Sequence, residues 1–378
     1  MPIVPKPSDL LGQEHLVAHF ASQLEAGELP HAILLTGEEG GEAFPLSLVL
    51  AQQILCEELT PEGHPCGKCH SCRQMAELQH PDITLVFPVI KAQEGKEFTS
   101  EMMLEPFREL IGKYRRFTTL EWREQLDAGN KQPQIMVAEA ERLIHNTSLR
   151  SFKSQYQVIL IWQPETMRTE TVNKLLKLLE EPPKGVVFIM VSHSPHRLLP
   201  TIISRLQKVA VHKIPDPILI EYLVQKESAT EEEATELAHL AQGNLYKALQ
   251  LKEGNGLFKG QLEALQFLQL PLQRHPKPLL AAAQEYAKKD RPEVIALLDS
   301  LPKLLRELLA LQYGSDDVVF LPSKIVDEAK VVSMALPLEK YTRVMDELTD
   351  AKLEILQNGN VTMALFDLLL TLLSLIHI

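Results

Sequence analysis

All four cysteines of the chain, Cys56, Cys66, Cys69 and Cys72, fall together. Two overlapping Cys-x-x-Cys steps, with a fourth thiol upstream across a turn holding Pro61, Gly63 and Pro65, can set four sulfurs tetrahedrally around Zn²⁺. A redox pair or a disulfide framework would use the same residue type, but neither suits a large cytosolic chain whose every cysteine is clustered. A Cys₄ site is coordinatively closed, so it would staple a protrusion and not catalyse. His64, His70 and His80 lie close by and are read as exposed or capping residues, since four sulfurs complete the shell.

A second group has the outline of a phosphate-binding loop. Ile33-Leu34-Leu35-Thr36 runs into Gly37, Glu38, Glu39, Gly40, Gly41 and Glu42, and a helix follows. A working loop cradles phosphates with backbone N–H groups, reaches them with a lysine and holds Mg²⁺ with a hydroxyl. Here Ala43 stands where the lysine is needed and Phe44 where the hydroxyl is needed. Glu38, Glu39 and Glu42 add a field that repels a triphosphate. Gly37, Gly40, Gly41, Ala43 and Phe44 are therefore expected to form a degenerate nucleotide loop that binds nothing.

The elements that must position these groups can be read from periodicity. Leu16, Val17, Phe20 and Leu24 recur at helical spacing after Gly12, giving a helical lead-in within residues 1–30. Ile33 to Thr36 reads as a strand, and Pro45 to Leu55 as a helix with proline near its first turn. Val158 to Ile161 and Val186 to Val191 read as buried parallel strands. Between them Val172, Leu175, Leu176 and Leu179 share a helix face that ends at Pro182-Pro183. Alternating strands and helices imply parallel βαβ units. Residues of about 86–132 show little sustained period and read as an insertion, helical from Glu101 to Tyr114. Its Lys113-Tyr114-Arg115-Arg116-Phe117 run mixes cations and aromatics as nucleic-acid binders do, but is read as a solvated helix end. From about residue 213 the pattern is helical throughout, with a smaller unit over 213–255 and a leucine-rich one over 256–378.

A chain of 378 residues suggests two or three domains, at roughly 100–200 residues each. Hydrophobic content of 45% is enough for real cores, and a net charge of −12 argues against affinity built mainly on neutralising phosphates. No signal-peptide pattern opens the chain, so a cytoplasmic location is expected. Met363 to Ile378 is the most apolar stretch, but it contains Asp367 and reads as a buried amphipathic helix, not a membrane anchor.

Several stretches together resemble the bacterial DNA polymerase III clamp-loader subunits of the AAA+ class. They are Asp9-Leu10-Leu11-Gly12-Gln13, Leu29-Pro30-His31-Ala32, the cysteine cluster, His80-Pro81-Asp82, Asn173-Lys174-Leu175-Leu176-Lys177-Leu178-Leu179-Glu180-Glu181-Pro182-Pro183, and Leu199-Pro200-Thr201-Ile202-Ile203-Ser204-Arg205. The resemblance implies an α/β AAA+ domain over 1–212 with a zinc module at 56–72, an all-α lid over 213–255 and an all-α collar over 256–378. Two kinds of chain in that family share the zinc module: the ATP-hydrolysing motor (gamma/tau type) and the delta-prime type, which commonly lacks a working ATP site.

This chain departs from the motor at each catalytic station. Ala43 and Phe44 replace the loop chemistry, Trp162 and Gln163 replace the acidic pair after the second strand, and Lys247 stands where the second sensor usually has arginine. Ser192, His193 and Ser194 occupy the first-sensor position and are read as loop caps. The family's trans-acting Ser-Arg-Cys motif survives as Ser204-Arg205-Leu206, so Arg205 could reach a neighbour's ATP; the alternative is an ordinary surface salt bridge. The resemblance thus implies a delta-prime-like, non-hydrolysing member of a hetero-oligomeric ring with motor and delta subunits, acting on a sliding clamp and primed DNA. The alternatives are an active motor-type ATPase and a zinc-dependent nucleic-acid-binding protein.

Overall fold

A computed structural model of the chain describes residues 2–90, 98–129, 131–149, 154–253, 257–315, 318–357 and 359–377. These form two compact units, one of residues 1–234 with 242–246 and one of residues 235–241 with 247–378. The domain boundary expected at 255/256 lies outside the described residues.

The first unit is built on a wholly parallel five-stranded sheet in the order β2-β3-β4-β1-β5. Its strands are β1 (Ala32–Thr36), β2 (Ile83–Val86), β3 (Gln157–Trp162), β4 (Val186–Ser192) and β5 (Gln207–Ala210). The three strands read from the sequence form the middle of this sheet, where both faces are covered and apolar runs are required. The two missed strands are its edges. β2 is short, and β5 is largely exposed and polar, so neither carries a continuous apolar signal. Val86, assigned to the start of the insertion, instead closes β2 opposite Ile161.

Alternation along the strands decides what each face meets. Ile33, Leu35, Val158, Leu160, Trp162, Val187, Ile189 and Val191 belong to one buried cluster, which includes the helix Ala43–Leu55. Leu34, Ile159, Ile161, Phe188 and Met190 belong to the cluster on the other face, packed with Leu143, Val172, Leu175 and Leu179. The helix Ala43–Leu55 is buried at every position, which suits a sequence that is apolar around its whole circumference.

The expected insertion is more ordered than its weak periodicity suggested. A 3₁₀ turn at Ser100–Met103 leads into the helix Leu104–Tyr114, and a second helix spans Thr119–Gln125. A capping box opens that second helix: the Thr118 side chain accepts from Leu120 N–H, and Glu121 accepts from Thr118 N–H at 2.8 Å.

The second unit is helical throughout its described residues. The helices Leu257–Gln269, Pro276–Tyr286, Arg291–Gln312, Ser323–Ala335, Tyr341–Leu356 and Val361–His377 surround one leucine-rich core. In the last of these Leu365, Leu368, Leu369, Leu372 and Leu375 are buried, as expected for an amphipathic core helix. Among the described residues no helix is long and apolar enough to cross a membrane. Leu369→Ala, at a fully buried position of this helix, is expected to cost about 2–5 kcal/mol. The drop in urea midpoint of the second unit measures it; an unchanged midpoint would remove this helix from the core.

Candidate functional site

β1 delivers the chain into the loop Gly37–Glu42, and the helix Ala43–Leu55 leaves it. Gly40 has φ +73°, and a Cβ there would lie 2.9 Å from the Tyr246 side chain, so only glycine lets the ring rest on the loop. Asn244 Nδ2 donates to the Glu39 carbonyl at 3.0 Å. The three loop carboxylates, expected to act as a field that repels a triphosphate, are each engaged by the protein itself. Glu38 pairs with Lys213 at 2.8 Å. Glu39 accepts from both the backbone N–H and the hydroxyl of Thr119, and from Gln163 Nε2 at 3.3 Å.

Glu42 is 3% exposed and is gripped by both arms of Arg116, Nε to Oε1 at 2.6 Å and Nη2 to Oε2 at 2.9 Å. Of residues 113–117, Lys113 and Tyr114 are exposed, as the sequence reading of a solvated helix end requires, but Arg116 and Phe117 are buried, and for them that reading is corrected. Burial works against the guanidinium charge, but the adjoining Glu42 carboxylate outweighs it and raises the proton affinity of Arg116. Arg115 likewise turns back, to Asp9 at 2.9 Å.

Phe117, the last residue of that run, is buried in an aromatic cluster behind the loop. Phe44 lies 5.2 Å from Phe117 and 6.0 Å from both Phe107 and Trp162, centroid to centroid. Phe107 stacks on Phe87 at 3.9 Å and meets Trp122 edge-on at 5.0 Å. Such pairs contribute about 0.5–1.5 kcal/mol each beyond area burial. Phe44 and Trp162, which the sequence reading placed at two nucleotide stations, are thus members of one core, joined by Phe107 and Phe117 from the insertion.

The remaining stations are equally occupied. Gln163, at φ +56°, donates to Thr119 Oγ1 at 2.6 Å. His193 Nε2 lies 3.2 Å from the Trp162 indole N–H and accepts it, so Nδ1 carries the proton and donates to the Gly37 carbonyl at 3.1 Å. Glu165 accepts from the backbone N–H groups of His193 and Ser194, and Ser192 Oγ accepts from Ser194 N–H, which makes this turn a set of loop caps. Lys247 belongs to the second unit. Arg205 is partly exposed and ion-pairs with Glu180, donating to it through Nε at 2.8 Å; it also donates to the Thr201 carbonyl and, at 3.3 Å, to Ser204 Oγ. Glu180 had no role in the sequence reading beyond its place in the Leu-Glu-Glu-Pro-Pro stretch.

Cys56, Cys66, Cys69 and Cys72 offer four sulfurs within 4.8 Å of one another, a group that could hold a metal ion. Sulfurs about 2.3 Å from a tetrahedral ion lie about 3.8 Å apart; here Cys72 and Cys56 are 3.5 Å apart and Cys66 and Cys72 are 3.9 Å apart. Backbone N–H groups of Cys66, Cys69 and Cys72 each point at the preceding cysteine's sulfur at 3.3 Å. The donor set and its spacing fit a Cys₄ metal. Of the three neighbouring histidines, His70 is exposed and His64 partly so, whereas His80 is buried, accepting from Asp82 N–H at 3.1 Å and meeting Ser71 Oγ at 3.2 Å. Asp82 in turn accepts from Ser154 and Val158 backbone N–H groups, anchoring β2 to β3.

Residues 12–215 match the model of the family described as "DNA polymerase III, delta subunit". The chain is 24% identical over 351 residues to DNA polymerase III subunit delta' of Bacillus subtilis, covering 92% of both chains. It is 27% identical over 253 residues to DNA polymerase III subunit tau of Escherichia coli, covering 65% of this chain and 32% of that one. Against the gamma/tau subunit of Mycobacterium bovis it is 25% identical over 208 residues, 55% of this chain and 29% of the relative.

The Arg116–Glu42 pair gives the site a direct energetic test. Arg116→Met leaves a buried carboxylate without its cation and is expected to cost about 3–5 kcal/mol. Glu42→Gln combined with Arg116→Met should recover most of that loss. Urea midpoints of the two variants decide it; equal midpoints would mean that the carboxylate does not depend on the arginine.

Proposed function

Because the chain belongs to the DNA polymerase III delta-subunit family and is a delta'-like clamp-loader subunit, we propose that it is a non-hydrolysing member of the ring. In that role it holds neighbouring subunits in place and offers Arg205, steadied by Ser204, to the ATP of an adjacent motor subunit. The complex then opens a sliding clamp and loads it on primed DNA in the cytoplasm. The observation that carries the proposal is the pairing of a lost site with a kept one. Glu38, Glu39 and Glu42 of the chain's own loop are engaged by its own residues, while Arg205 stays partly exposed on a short turn, held by Glu180 at the surface.

A guanidinium neutralises charge on a transferring phosphoryl group, which a lysine does less well because it lacks the planar fork. Before assembly Glu180 and the Thr201 carbonyl would hold the Arg205 guanidinium, and a neighbour's phosphate would have to replace them. The three-part division at 1–212, 213–255 and 256–378 belongs to the same proposal, with the first part carrying Arg205 and the last joining a collar. Reconstitution tests it: Arg205→Ala and Arg205→Lys should each lower turnover at the site served, by roughly 10³-fold or more. DNA-stimulated ATPase that is unchanged by Arg205→Ala would reject the finger.

Structural Zn²⁺ on Cys56, Cys66, Cys69 and Cys72 completes the proposal. Supplied there, the ion would take four thiolates, leave no open position and so lock the knuckle without reacting. Metal analysis should find about one zinc per chain, and Cys69→Ser should lose the metal and lower the melting temperature. A stable, metal-free wild-type chain indifferent to chelators would exclude it.

A further inference from the structure

The room left beside the loop glycines is small. A cavity of about 20 Å³ remains there, bounded by Gly37, Glu38, Gly41, Glu42, Gly243 and Asn244 among others. Pockets that take a small molecule or cofactor run to roughly 300–1,000 Å³. A larger polar cavity of about 510 Å³ lies at the carboxyl ends of β3 and β4, lined by Gln163, Glu165, His193 and Arg197. Of the loop it meets only Glu39, whose carboxylate is already taken by Thr119 and Gln163. Gly40 and Gly41 do not line that cavity.

The wall of the small cavity is completed by Val211, His212 and Lys213, while the side chains of Glu39, Glu42 and Phe44 are engaged from one direction. The helix Leu104–Tyr114 sends Phe107 against Phe44 and Trp162; the turn after it sends Arg116 to Glu42 and Phe117 to Phe44; the helix Thr119–Gln125 opens with Thr119 on Glu39 and carries Glu121, which accepts from the Tyr246 hydroxyl. Tyr246 lies over Gly40. The segment therefore meets an apolar residue with apolar ones, a carboxylate with a cation and another with two donors. That is the complementarity of a bound ligand, supplied by covalent attachment and hence without the association cost a free ligand pays.

We infer that residues 104–125, closed over by Tyr246, are the built-in occupant of the degenerate nucleotide loop. The loop is silent for two separable reasons: it lacks the lysine and hydroxyl, and its space is already taken. The inference rests on the proposal that this chain's own site binds no nucleotide, and it adds that restoring the chemistry alone would not restore binding.

The experiment is a titration of the full chain and of its A43K/F44T variant with MgADP and MgATP. The chain has two tryptophans, Trp122 and Trp162, and both lie buried in the cluster, so their emission reports directly on the segment. At millimolar nucleotide neither protein should change its emission or its melting temperature, whereas a ligand present at about 100 times its Kd would raise the melting temperature by several degrees. Saturable binding by folded A43K/F44T with a silent wild type would overturn the occupancy and leave the missing-chemistry account standing. Binding with turnover by the wild type would overturn the proposed function itself.

Should A43K/F44T fail to fold, hydrogen exchange on the wild type decides. Amides of 104–125 should exchange as slowly as those of β3, with or without MgADP. Exchange at the rate of an exposed loop would overturn the inference.

Discussion

A carboxylate taken out of water must either lose its charge or meet a cation in good geometry, because desolvation costs several kcal/mol per ion. Glu42 sits at the junction of loop and helix, 3% exposed, and Arg116 satisfies it with two parallel hydrogen bonds. The same arginine donates to the Asp9 carbonyl at 2.8 Å, and Glu42 accepts from Leu11 N–H at 3.3 Å. One pair therefore binds the lead-in, the loop and the insertion to each other. Placing the arginine there requires the turn after Tyr114, and that turn in turn buries Phe117 beside Phe44. The aromatic core behind the loop follows from where the cation has to be.

Strand alternation supplies the other constraint. The carboxyl edge of a parallel sheet is where α/β proteins bind ligands, since loops open there and helix N-termini point at it. At the end of β3, Trp162 faces the cluster that contains Phe44, and Gln163 turns in the left-handed region to meet Thr119 and Glu39. The two placements are mutually consistent, each finding its partner in the same inserted segment.

Much of this could be read without coordinates. The central strands, the helix after the loop, the stop at Pro182-Pro183 and the cysteine cluster all rest on local patterns of period and spacing, and local patterns survive in one dimension. The edge strands did not show because β2 has only four residues and β5 is polar and largely exposed. For His80 the sequence leaves exposed and capping roles open; it is buried and accepts from Asp82 N–H, and its setting depends on Ser71 and Ser154 from separate parts of the chain. The run Lys113 to Phe117 misled at Arg116 and Phe117 for the same reason. Two adjacent arginines beside aromatics describe a solvated end until Glu42 and Asp9, far away in sequence, are brought against them.

Residue identity alone determined what the chain lacks and what it keeps: Ala43 and Phe44 cannot do a phosphate loop's work, Cys56, Cys66, Cys69 and Cys72 have the spacing of a closed metal site, and Arg205 retains its guanidinium. These are properties of side-chain chemistry and need no neighbours to state. Which side chains meet Phe44 and which carboxylate each cation serves were decided only by tertiary structure. Burial, pairing and volume are relations between segments that the chain order keeps apart.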